Sequence, residues 1–253
     1  MKVGILGAML EEVSAIKEMM TIDKETSIAG RVYYEGKIAE KEVVVTFSKW
    51  GKVASASTTT TLINEFGVGF ILFTGVAGAV HDSLNIGDIV IGNGLYQHDM
   101  DARPFFDQFQ IPLTSTIILE PDANDIERAA IAAERFLEKI NNVINKELLA
   151  KYSIFEPKVR KGLIASGDKF VSSPKSHNEL SLTKNDNCTL AVEMEGAAVA
   201  QVCEDYKLPY VIIRTISDKA DHSAAIDFES FIHTIASKYS SEIVKEYVQL
   251  HAF

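Results

Sequence analysis

Short, continuously apolar runs alternate along this chain with segments whose apolar positions recur every three or four residues. The runs at 2–7 (KVGILG), 42–47 (EVVVTF), 69–74 (GFILFT), 88–92 (DIVIG), 160–165 (RKGLIA), 189–192 (TLAV) and 209–216 (PYVIIRTI) predict strands. Several lack a polar face altogether, as expected of strands covered on both sides. Residues 27–38 (SIAGRVYYEGKI) alternate instead, which predicts a hairpin arm paired with 42–47. Helices are predicted over 11–20, 52–66, 122–140, 174–182, 195–206 and 226–249. Val199, Val202, Cys203 and Tyr206 share one face of the fifth, and Phe228, Phe231, Ile232 and Ile235 one face of the last. This order of elements predicts a three-layer α/β/α architecture around a central mixed, twisted sheet. The polar, lysine-rich stretch 139–156 predicts a helical excursion on the surface. No linker, repeat or low-complexity tract interrupts the pattern, so residues 1–253 read as a single domain.

Composition narrows the partners. The 253 residues are 47% hydrophobic, enough for a sizeable core, and carry a formal net charge of −10. Such an acidic chain lacks the basic surface that nucleic acid or an anionic membrane requires. No apolar run approaches the roughly 18 residues of a membrane span. The opening MKVGILGAML is cut short by Glu11 and Glu12 and reads as a first buried strand rather than a leader. Cys188 and Cys203 both lie in apolar contexts, too few for a disulfide framework, which points to a reducing cytoplasm.

In open α/β sheets ligands sit beyond the carboxyl ends of the strands. Here those ends read AMLEE (8–12), GVAGAV (75–80), SGDKFV (166–171), EMEG (193–196) and SDKAD (217–221), with acids at almost every one. A phosphate site would show lysine, arginine and a glycine loop instead. GVAGAV fits a tight strand-to-helix turn or a close backbone approach, and matches neither a Walker loop nor a full dinucleotide fingerprint. Carboxylates around an apolar pocket suit a neutral polyhydroxyl ligand joined to a flat base. One carboxylate can accept bonds from neighbouring ribose hydroxyls, a second can protonate a leaving base, and a third can take a proton from water. EMEG then reads as a sugar holder, with Glu195 as acceptor and Met194 packing on the apolar side.

Six segments in order, GILGAMLEEV (4–13), TGVAGAV (74–80), GDIVIG (87–92), ASGDKFV (165–171), VEMEGAAVAQVC (192–203) and RTISDKAD (214–221), resemble the nucleoside phosphorylase/nucleosidase superfamily. Within it they are most similar to the 5′-methylthioadenosine/S-adenosylhomocysteine nucleosidases, over nearly the whole chain. The resemblance implies the nucleoside phosphorylase-like fold, hydrolysis of a purine N-glycosidic bond and no cofactor. 5′-Deoxyadenosine is a further candidate substrate. Glu12 matches the acid that activates water, although a glutamate at a helix start is also favoured by the macrodipole. Asp218 matches the acid serving purine N7, although a loop aspartate also forms local turns; an acid in that role needs a dry site. Glu195 and Met194 match the ribose ligand and its packing partner, and Glu193 joins them, although strand alternation aims it away from Met194. Phe170 matches the ring that stacks on adenine, and Val171 the residue whose backbone reads the base edge. Arg214 and Ser217 match supporting residues near the water and beside Asp218, and backbone groups of Ala77 and Gly78 face the sugar. Phe228 is assigned to the substrate pocket. Phe105, in ARPFFDQF (102–109), is assigned to the pocket of a partner subunit in a homodimer.

Val76 departs from the family, where a serine is common, and removes a side-chain hydrogen bond from that loop. His98, Asp99 and Asp101 in QHDMD have poor spacing for metal ligation, and no metal is expected. Three rivals stand: a phosphorylase, which needs arginines around phosphate; a hydrolase of another nucleoside such as 6-amino-6-deoxyfutalosine; and a non-catalytic nucleoside sensor, which would not need both Glu12 and Asp218.

Overall fold

The structure, a computed structural model, describes residues 1–171, 183–184, 187–219 and 228–250. Ten strands form its main sheet and a short flanking ladder: β1 (Val3–Gly7), β2 (Thr21–Ile28), β3 (Arg31–Ile38), β4 (Lys41–Phe47), β5 (Phe70–Ala79), β6 (Ile89–Gln97), β7 (Val159–Ser166), β8 (Thr183–Lys184), β9 (Asn187–Glu193) and β10 (Tyr210–Asp218). Their order is β2-β3-β4-β1-β5-β10-β6-β7-β9-β8. β1 is parallel to β4 and β5, β10 is parallel to β5, and β6 runs antiparallel to β10, so the sheet is mixed. β9 also pairs back onto β5 through Gly78–Val192 and Ala79–Ala191, which curls β5-β10-β6-β7-β9 into a closed ring.

The continuous apolar runs follow from helices on both faces. One layer comprises α1 (Leu10–Glu18), α3 (Ala123–Glu138) and the C-terminal α8 (Ser237–Leu250); the other comprises α2 (Lys52–Phe66) and α6 (Gly196–Tyr206). Alternate residues of single strands enter opposite cores. Phe70 and Leu72 meet the first layer, while Ile71 and Phe73 meet the second, and Val211 and Ile213 against Tyr210 and Ile212 repeat the arrangement.

Several expectations need correcting. The alternation over 27–38 is not one arm: a turn at Ala29–Gly30, both at positive φ, splits it, and β2-β3-β4 form an antiparallel meander. GVAGAV is not a turn, because β5 continues to Ala79. Stretch 139–156 is helical, as α4 (Ile140–Val143) and α5 (Lys146–Lys151), but it is no free excursion: Ile140, Ile144, Leu149, Tyr152 and Ile154 are buried in the core. The last predicted helix is divided. α7 (Phe228–Phe231) leads into a π-helical turn (Ile232–Ala236) before α8. The helix predicted over 174–182 lies outside the described residues.

Candidate active site

A cleft of about 630 Å³ opens where the carboxyl ends of β1, β4, β5, β7, β9 and β10 converge. β1 contributes Ala8 and Met9, β5 contributes Val76, Ala77 and Gly78, and the chain after β7 contributes Phe170 and Val171. Val192 to Glu195 follow from β9, and Ser217 and Asp218 from β10. Most of the sequence-predicted residues thus meet on one wall. The cleft is largely apolar, with Glu193, Glu195 and Asp218 each at least nine-tenths buried.

β10 ends in a register shift against β5 between Ile216 and Asp218, so that Asp218 is paired with Gly78. Bulges re-aim side chains, and this one sets Ser217 beside Asp218, with Ser217 Oγ donating to Asp218 Oδ2 at 2.7 Å. Phe170 is half-exposed at the rim, 49% accessible, where a flat base could lie against its ring.

Glu193 and Glu195 occupy different environments although two residues apart. Glu193 Oε2 accepts from Glu195 N at 3.1 Å, Gly196 N at 2.8 Å and Arg214 Nη2 at 2.6 Å, and its Oε1 accepts from Ser166 Oγ and Gly196 N. It therefore caps the N-terminus of α6, where the free N–H groups favour an anion, and its bonds face the scaffold. Glu195 Oε1 accepts from Gly51 N at 2.8 Å, at the start of α2. Burial, then the Glu193 charge, raise the Glu195 carboxyl well above its ordinary range. Gly51 sits at φ 92, and a Cβ there would stand 2.9 Å from Asp168 Oδ1, so the position demands glycine.

Glu12 is fully buried and does not border the cleft, lying behind the Ala8–Met9 wall. Its Oε2 accepts from Met9 N at 3.1 Å, the backward bond of an N3 glutamate, and its Oε1 from Ser240 Oγ at 3.2 Å. Burial pushes its carboxyl up to about 7, against the opposing pull of Arg214 and these donors. Arg214 is also buried, bound to Glu193 and stacked over Phe73 at 4.1 Å, with Nη1 on the Ile213 carbonyl at 3.1 Å.

Phe105 is 85% exposed and away from this chain's own cleft. Phe228 begins α7, and its side chain lies outside the described residues. Asp99 is held by Lys52 Nζ at 2.6 Å and Asp101 by Arg103, so both carboxylates are engaged elsewhere. Sequence reasoning missed Trp50, which borders the cleft as an exposed residue whose Nε1 donates to Ala8 O at 3.1 Å. The signal existed: SKWGK follows β4, and reading that strand's carboxyl end would have found both Trp50 and Gly51. Ser166 stood in the strand-end segment SGDKFV without being given a role, and Ser240, inside a helix, carried no comparable mark.

The phosphorylase superfamily model matches residues 2–249. The chain is 36% identical over 242 residues to the 5′-methylthioadenosine/S-adenosylhomocysteine nucleosidase of Staphylococcus aureus strain bovine RF122 / ET3-1, covering 95% of this chain and 96% of that one. The solved nucleosidase of the same name from Neisseria meningitidis, in complex with methylthio-immucillin-A, superposes with a TM-score of 0.84 at 35% identity, covering 98% of each chain. The futalosine hydrolase of Helicobacter pylori strain 26695 superposes with a TM-score of 0.80 at 36% identity, covering 98% of this chain and 97% of that one.

Proposed function

The chain belongs to the phosphorylase superfamily, and we infer that within it the protein is an N-glycosyl hydrolase. It cleaves 5′-methylthioadenosine and S-adenosylhomocysteine to adenine and the 5-substituted ribose. The observation that carries hydrolysis over phosphorolysis is the placement of Arg214. Its guanidinium is spent on Glu193, Phe73 and backbone carbonyls, and among the described residues the cation left bordering the cleft is Lys169 at its exposed rim. Phosphate entering beside Glu195 and Asp218 would find, among the described residues, no buried cation other than Arg214, which Glu193 already neutralises. Desolvating a dianion there without a cation partner is costly, whereas a neutral water pays no such penalty.

In this reading Asp218, steadied by Ser217, protonates N7 of the departing purine. Glu195 accepts from the ribose hydroxyls, with Met194 packed on the sugar. Phe170 stacks on the base, and the Val171 backbone reads its edge. Glu12 takes the proton of the attacking water from behind the Ala8–Met9 wall, which must part to let the water reach it; its carboxyl near 7 suits a general base at neutral pH. Adenine release from methylthioadenosine should be unchanged across a phosphate titration at fixed ionic strength, and the product should be free methylthioribose. A rate that saturates with phosphate, or a sugar 1-phosphate product, would make the protein a phosphorylase. The resemblance to a futalosine hydrolase favours a second substrate on the same machinery, and adding 6-amino-6-deoxyfutalosine to the assay, scored by kcat/KM, ranks the two.

We further propose that residues 1–253 act as one catalytic domain in a cytoplasmic homodimer serving methionine salvage. Free Cys188 and Cys203 support the compartment. Phe105 and Leu113, 85% and 91% exposed on one internally bonded loop, support a covered face, with Phe105 reaching the partner's 5′-substituent pocket. Sedimentation should give a dimer, and Phe105→Ala should raise KM for methylthioadenosine. A fully active monomer at nanomolar concentration would refute it.

A further inference from the structure

We propose that Ser240 and Thr74 are positioning residues for the reaction, forming a hydroxyl relay that fixes the Glu12 carboxylate from the side away from the cleft. The proposal rests on the reading of Glu12 as the base. Thr74 Oγ1, on β5, donates to Ser240 Oγ at 3.1 Å, and Ser240 Oγ, on α8, donates to Glu12 Oε1 at 3.2 Å. All three groups are buried. With Met9 N on Oε2, each carboxylate oxygen has its own donor, so the side chain is pinned about its terminal torsion.

The buried stripe of α8 contains serines where aliphatic residues would serve a plain core. Ser237 and Ser241 return their hydroxyl protons to their own helix, to His233 O at 3.0 Å and Lys238 O at 3.2 Å, as helical serines ordinarily do. Ser240 sends its proton out of the helix to Glu12 instead. The π turn at Ile232–Ala236, directly before α8, shifts the helix register upstream of Ser240. Such turns are frequent at functional sites.

A hydroxyl donating to a carboxylate favours its ionised form, as does Arg214 on β10, while burial opposes both. Among the described residues Arg214 is the charged group acting on Glu12, and its guanidinium pairs with Glu193 at 2.6 Å. Glu11 and His233 pair at 3.5 Å across α1 and the π turn, both partly exposed, and Lys238 faces solvent. Glu195, the other carboxyl raised by burial, is bonded to Gly51 and shares no member of the relay.

The test is the pH profile of kcat/KM on methylthioadenosine for Ser240→Ala, Thr74→Val, Thr74→Ser and Glu12→Gln. Ser240→Ala should move the acidic limb up by roughly one pH unit, so that activity well below the limb falls about tenfold and activity at high pH is retained. Thr74→Val, nearly isosteric, should move it the same way by less and stands in should Ser240→Ala fold poorly. Thr74→Ser, which keeps the hydroxyl, should leave the limb in place. Profiles of Ser240→Ala and Thr74→Val that keep the wild-type shape, scaled down equally at every pH, would overturn the relay and leave the two residues a packing role. Glu12→Gln separates the two readings: near-total loss of turnover supports Glu12 as base, and a variant that turns over at the parent rate removes the base assignment itself.

Discussion

Asp218→Asn should lower kcat on methylthioadenosine by about 10²–10⁴-fold, the range of a general acid, with KM changed only a few-fold. The expectation follows from geometry. Asp218 lies at the shifted end of β10, at least nine-tenths buried, and one of its oxygens already receives the Ser217 hydroxyl at 2.7 Å. The amide is nearly isosteric, so packing against Gly78 and the apolar wall survives, and the melting temperature should stay within a few degrees. What disappears is a proton that can pass to the base as the glycosidic bond breaks. Calorimetry on the variant should still register methylthioadenosine binding, because the ribose acceptor Glu195 and the Phe170 ring are untouched. Retention of more than about a tenth of the parent rate is less than an acid should lose and would reassign N7 protonation to another group.

The parts of this site that were legible in the sequence are those contiguous with a strand end. EMEG and SDKAD announced themselves because acids interrupt an otherwise apolar chain at the point where a buried strand stops, and the sheet then carries them to one wall. The strand limits were less legible. Gly75 to Ala79 have almost no side chain to show periodicity, yet they pair with β10 and β9 as strand. Gly75 is small for a tertiary reason, since a Cβ there would press 3.3 Å from Arg214 Nη1. The meander of β2 to β4 hid behind a two-residue turn inside an alternating run. Stretch 139–156 looked polar because its lysines and other polar residues outnumber the apolar ones, while Ile140, Ile144 and Leu149 dock into the core.

Which distant residues pair with which left no sequence trace. The Gly51 N–H on Glu195, the Ser166 hydroxyl on Glu193 and the Ser240 hydroxyl on Glu12 join segments from 27 to 228 positions apart. Each is a small residue whose role exists only once the sheet has closed. Sequence order identifies which carboxylates are present; their environments, and hence their different tasks, come from these distant donors and from Arg214.

Arg214→Met should destabilise the protein by about 3–5 kcal/mol, the usual cost of leaving one partner of a buried ion pair alone. For a chain of this size that is a fall of roughly 10 °C in melting temperature. Glu193 would keep Ser166 Oγ and the N–H groups of Glu195 and Gly196, so the loss should lie toward the lower end of that range. The pair need not be stabilising overall, since buried ion pairs often contribute less than apolar residues of similar volume. Glu193→Gln combined with Arg214→Met should therefore recover much of the loss, and the double-mutant cycle should show strong coupling. Activity should follow a different pattern. Arg214 favours the ionised forms of both Glu12 and Glu195, so its removal raises both, and kcat/KM should drop further at pH 6 than at pH 9. In the double variant the Glu193 charge that raises Glu195 is also gone, but nothing replaces the cation near Glu12. Stability should then return while the acidic limb stays displaced. Recovery of both together would mean that Arg214 serves packing alone, and recovery of neither would mean that Met cannot fill the space over Phe73.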